Sequence, residues 1–100
     1  MYKFKIETFG KTFTLKISTV DTIIKHLKKK HIKPTISYSY VQPRSNFVND
    51  YIKVTFSNVL EFADEFILEF PVHWNYATGK PFINSYSLYT DHVIETLMNI

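Results

Sequence analysis

The chain contains no cysteine. That absence removes disulfide scaffolds, thiolate-ligated zinc and thiol nucleophiles together. Glycine is nearly missing as well, with Gly10 and Gly79 the only two. A phosphate-cradling loop needs a glycine five residues before a Gly-Lys-Ser/Thr, and here Gly79-Lys80 runs into Pro81. The dinucleotide fingerprint and the nucleophile elbow fail on the same shortage. Four prolines and two glycines also exclude collagen-like and linker-like chains. No apolar run approaches the roughly 18 residues needed to span a bilayer. The opening residues carry Lys3, Lys5, Glu7 and Lys11, not the apolar core of a signal peptide. A cytoplasmic protein without a membrane segment is therefore expected.

Arginine is scarce too: Arg44 stands alone beside eleven lysines. Alanine is rare while Ile, Asn, Phe and Tyr are plentiful. Such usage is what AT-rich coding produces, and it fits small proteins of low-GC bacteria and their phages or plasmids.

What remains is a chain of 100 residues, 45% hydrophobic and 17% aromatic. That is enough for one domain with one modest core, burying roughly 65% of the unfolded surface. The net charge of +3 is unevenly spread. Residues 1–33 hold nine lysines against Glu7 and Asp21, a net of +7. Residues 61–100 hold Lys80 against six carboxylates, a net of −5. Either the two halves neutralise each other in the fold, or opposite faces meet different partners.

Period-two alternation marks the strands. Tyr2, Phe4 and Ile6, then Phe13, Leu15 and Ile17, flank Gly10 as a β-hairpin. Ile36, Tyr38 and Tyr40 form a third strand, and Ile52, Val54 and Phe56 a fourth. Between the two hairpins Val20, Ile23, Ile24 and Leu27 recur at helical spacing, with His31 on the same stripe. Ser18 or Thr19 is placed to cap that helix, and Pro34 stops it near Lys33. Asn58 to Phe70 reads as a short helix to about Glu65 running into a strand, whose one face carries Phe66, Leu68, Phe70, Val72 and Trp74. Thr78 to Pro81 is a turn, Ile83 to Tyr89 a further candidate strand, and Asp91 the cap of a last helix with Val93, Ile94, Leu97 and Met98 inward. The expected architecture is a single α+β domain over residues 1–100, an antiparallel sheet built on a β-β-α-β-β core with a C-terminal helix.

Few residues point to catalysis. His26 and His31 are five apart, off a shared helical face. Glu61, Asp64 and Glu65 would share a face of a helix, but an acidic run is ordinarily a solvated surface. No metal or other cofactor is implied. His73 and His92 are the candidates for acid–base work of a small ribonuclease. The ordinary role of an isolated histidine is structural, so no catalytic residue is assigned.

Binding features are stronger. Lys25, Lys29 and Lys33 fall at i, i+4 and i+8, with His26 beside them and Lys28 and Lys30 flanking. This cationic ridge suits phosphate or acidic surfaces, although lysines near a helix C-terminus also complement its dipole. Tyr38, Tyr40 and Tyr51 suit base stacking, but Tyr38 and Tyr40 share parity with Ile36, which favours core packing. The segment Gln42 to Asp50 is long for a hairpin loop and carries Arg44 and Phe47, residue types that anchor interfaces. The expected function is a non-enzymatic module that docks on a macromolecule through Lys25, His26, Lys28, Lys29, Lys33, Arg44 and Phe47. A protein of a nucleic-acid-handling complex is the favoured partner, and a mobile-element inhibitor of a host nucleic-acid enzyme is one concrete instance. Direct nucleic-acid binding and a small ribonuclease are the alternatives. The reading requires the lysine side of the first helix to be open and unmatched by the acidic later half.

Overall fold

The computed structural model describes residues 2–45, 47–61 and 65–100. Alternating residues make β1 (Lys3–Thr8) and β2 (Lys11–Lys16) an antiparallel hairpin, with Ile6 opposite Phe13 and Phe4 opposite Leu15 on its inner face. α1 (Ser18–Lys29) follows and buries Val20, Ile23 and Leu27. β3 (Thr35–Val41), β4 (Tyr51–Ser57) and β5 (Phe66–Pro71) form a second antiparallel sheet in that order. β6 (His73–Asn75) and β7 (Lys80–Phe82) make a small third hairpin, and α2 (Leu88–Met98) closes the chain. The α+β class with antiparallel strands and a C-terminal helix is the architecture expected from the pattern.

One core joins the layers. Phe4, Ile6 and Leu15 of the first hairpin meet Ile23 and Leu27 of α1, Ile52, Val54 and Phe56 of β4, Leu68 and Phe70 of β5, and Leu97 of α2. The outer edge of β5 is closed by α2. The fully buried hydroxyl of Thr90 accepts from the Glu69 N–H at 3.1 Å and donates to the Glu69 carbonyl at 3.2 Å. An edge strand otherwise presents unpaired main-chain groups. Ser87 caps the helix, its Oγ accepting from the Thr90 N–H at 3.2 Å.

Several boundaries differ from the sequence reading, each for a physical reason. α1 ends at Lys29, short of Lys33. His31 takes a left-handed conformation with φ 61, and its N–H reaches the Lys28 carbonyl while that of Ile32 reaches Leu27. This paired closure is a Schellman motif, ordinarily built on glycine. His31 is thus exposed beyond the helix and does not continue its apolar stripe. No side chain caps the N-terminus of α1, where Ile17 takes the cap position; Ser18 lends its carbonyl to Thr22 instead. Asp21 in the first turn accepts the Tyr2 N–H at 2.7 Å. Residues 58–61 bend rather than coil, with Asn58 at φ 58 and its amide donating to Thr35 Oγ1 at 2.8 Å. The rest of the helix expected to Glu65 falls largely on residues 62–64, outside the described residues. The expected strand from Ile83 to Tyr89 is absent. Residues 83–87 have no regular structure, and α2 begins at Leu88 under the Ser87 cap rather than at Asp91.

Candidate functional site

The molecule is elongated, 42 × 26 × 19 Å, and its two ends differ in chemistry. Two side-chain contacts join β1 to β3, and they fall in the same order along both strands. The Lys5 N–H donates to Tyr38 Oη at 3.0 Å, and the Gln42 amide lies 3.5 Å from Thr8 Oγ1. The turn after β1 and the loop after β3 therefore reach the same end. The Val72 N–H, 2.8 Å from the Asp50 carbonyl, brings the start of β6 there as well. α1 follows β2 and precedes β3 at the opposite end, roughly 20 Å away along the seven residues of β3.

At the α1 end, Lys25, Lys28, Lys29, Lys30 and Lys33 are all exposed. Among the described residues, none of these ammonium groups lies within 4.0 Å of a carboxylate oxygen. α2, which carries Asp91 and Glu95, packs against α1, but the contact with His26 is to main chain. His26 Nε2 sits 3.3 Å from the carbonyl oxygen of Ile100, which can only accept, so the proton is on Nε2. His26 thus holds the chain just past α2 and is not a free member of the ridge. Lys33, placed on the ridge by i+8 spacing, lies beyond the Schellman closure and off the helix. The ridge that the fold assembles is Lys25, Lys28 and Lys29.

At the loop end, Phe47 is 99% exposed and Arg44 is exposed near it in the chain. Phe47 does not fold back over the core. With Val48, Tyr51, Pro71 and Ser87 it lines an open cleft of about 350 Å³ between the loop, the ends of β4 and β5 and the start of α2. Leu88, 87% exposed, and Tyr89 stand on the first turn of α2 beside Ser87. Beneath the loop, Tyr40 Oη donates to Asp50 Oδ2 at 2.5 Å, tying the last residue of the loop to β3. Burial and this bond to Asp50 push the Tyr40 phenol well above its ordinary value. The folded state holds that proton more tightly than the unfolded chain, so its contribution is intact below about pH 10 and fades as the pH rises further. Thermal unfolding followed between pH 8 and 11 is expected to show this alkaline decline. Tyr40→Phe should flatten it, at a cost of about 1–3 kcal/mol at neutral pH for the lost bond.

Sequence reasoning missed the hydrophobic company of Phe47. The alternation over Ile83 to Tyr89 hides Leu88 and Tyr89 in an expected strand, and only the Ser87 cap signals that they begin a helix, where both are exposed. Tyr38 and Tyr40 do lie on the core side of β3, with the Tyr38 ring edge-on to Phe4 at 4.9 Å, although neither is fully buried.

The acid–base candidates gather no partners. His73 is half-buried against the Phe82 ring at 5.6 Å, with its Nε2 buried and without a hydrogen bond, and His92 is exposed on α2. Glu61 and Glu65 are exposed, and Asp64 lies outside the described residues. Among the described residues, no three His, Asp or Glu side chains gather in a way that could hold a metal ion. No described helix is long and apolar enough to cross a membrane. Neither the family models nor the curated proteins nor the solved structures include a match to this chain.

Proposed function

We propose that the protein is a non-enzymatic binding module that docks on a protein partner through the loop end, with Phe47 and Arg44 as anchors. The observation that carries this reading is the near-complete exposure of Phe47 at the mouth of a cleft, with Leu88 and Tyr89 exposed on the adjoining helix. A ring that buries nothing at home contributes no folding energy, and aromatic and arginine side chains supply most of the energy of protein interfaces. The α1 lysines, at the other end and unmatched among the described residues, supply a directed field rather than part of the same contact. They attract the module to an acidic or nucleic-acid-bearing partner and speed encounter. A partner within a nucleic-acid-handling complex, inhibited by occlusion in the manner of a mobile-element protein, fits both features.

The test uses the purified protein as bait in lysate of its source cells, followed by kinetics on the protein it retains. Retention is expected to survive nuclease treatment. Lys25→Glu with Lys29→Glu is expected to slow association at low salt by roughly tenfold and to leave dissociation nearly unchanged. Loss of all retained protein on nuclease treatment would favour direct nucleic-acid binding instead. That second reading has the same lysines in its support, now as phosphate contacts.

A further inference from the structure

The first hairpin turns through Phe9 and Gly10, at φ 53 and φ 69, between Thr8 and its partner Lys11. Two successive left-handed residues make a type I′ turn, which asparagine or glycine occupies without strain and a bulky aromatic does not. Phe9 is also 81% exposed. The chain therefore holds a ring in a strained conformation and presents it to solvent, a combination that folding alone does not select. The neighbouring hairpin also presents a ring to solvent, Tyr76, 97% exposed in its turn, where the left-handed position falls on Gly79 instead. That turn is rigid. Asn75 accepts the Gly79 N–H on its carbonyl at 2.7 Å and the Ala77 N–H on its side chain at 3.0 Å.

The two tips belong to one surface. Trp74 on β6 stands edge-on to both Phe9, at 5.6 Å, and Phe13, at 5.3 Å, and β7 packs beside β2. Two shallow grooves meet at Thr12, one bordered by Glu7, Gly10 and Lys11, the other by Phe13, Lys80 and Pro81. Lys11 and Lys80 are exposed at the first positions of β2 and β7. Glu7 at the edge of the first groove is the one acid beside the tips, since residues 8–20 and 70–90 hold no Asp or Glu. The surface is aromatic and cationic, and its cations are lysines, which protein interface centres disfavour and phosphate backbones accept. Protruding rings find no base faces on an intact duplex, where those faces are stacked.

We infer that the tips of the two hairpins form a binding site for single-stranded nucleic acid, with bases stacking on Phe9 and Tyr76 and phosphates meeting Lys11 and Lys80. The site lies at the same end of the molecule as the Phe47 cleft but shares no lining residue with it, and it needs no protein partner. The test is fluorescence anisotropy of labelled single-stranded DNA and RNA 12-mers with the purified protein, at low and moderate salt, against a duplex of the same length. Single strands are expected to bind more tightly than the duplex. Phe9→Asn and Tyr76→Ala should each weaken single-strand binding by roughly 5- to 150-fold, the range for one lost base–aromatic stack. Lys11→Gln with Lys80→Gln should lower the salt slope by about 1.4. Phe9→Asn separates this role from folding, because asparagine relieves the strained turn and this offsets the lost edge contact with Trp74, so the melting temperature should change little. The inference is overturned if wild-type protein binds no single strand at low salt, if both ring variants bind like wild type, or if the duplex competes equally well. Because purified protein alone is used, those results would leave docking on a protein partner standing.

Discussion

Replacing Phe47 by alanine is expected to weaken the complex with the protein partner by roughly 30-fold or more, the loss that defines an interface anchor. The same substitution should leave the melting temperature unchanged. The ring is 99% exposed and makes no contact with the core, so its removal opens no cavity and uncovers no buried surface. Among the described residues its one hydrogen bond is main-chain, from its N–H to Ser45 Oγ at 3.2 Å, and alanine retains it. Surface plasmon resonance and a thermal melt on the same two preparations check both halves. A fall in melting temperature with unchanged affinity would make Phe47 a structural residue.

Phe4→Ala should give the opposite signature. Phe4 is fully buried at the junction of the first hairpin with the second sheet, its ring 5.0 Å from Tyr2 and 4.9 Å from Tyr38. Removing a buried phenyl ring costs about 3–5 kcal/mol through lost burial and the cavity left behind. A domain of this size has a total stability of about 5–15 kcal/mol, so the variant should be partly unfolded at 37 °C or close to it. Urea unfolding followed by tyrosine and tryptophan fluorescence measures the shift, and a midpoint within a few tenths molar of wild type would contradict the packing described here. The two phenylalanines share one side-chain chemistry. Their expected effects differ because one ring is paired by the fold and the other is not.

That difference was only partly legible in the chain. Binary alternation identified β1 to β4 and their inward faces, because one side of each strand is dry and the other wet. The stripe of Val20, Ile23 and Leu27 identified α1. Boundaries were harder, since they turn on conformations that composition does not announce. His31 is no glycine, yet it closes α1 in the left-handed region. Ser85 and Ser87 are equally spaced to open a loop or a helix, and only the packing of Thr90 on the edge of β5 fixes Ser87 as the cap. At the site, Phe47 and Arg44 stood out as an aromatic and the lone arginine of a long loop. Phe9 did not, because its parity and its place before Gly10 mark a turn, and only the φ of 53 and the exposure of its ring set it apart. The lysine ridge was visible as spacing, but its truncation at Lys29 was not, since nothing in the i+4 rhythm of Lys25, Lys29 and Lys33 says where the helix stops.

Amide hydrogen exchange of the protein, free and bound to its protein partner, tests the docking surface most directly. Exchange is expected to slow in the Gln42–Asp50 loop and over the first turn of α2, where Leu88 and Tyr89 adjoin the cleft, with the serine-bearing face of β3 unchanged. Protection confined to β3 or to the middle of α1, with the loop exchanging equally fast in both states, would contradict the assignment of Phe47 and Arg44 as anchors.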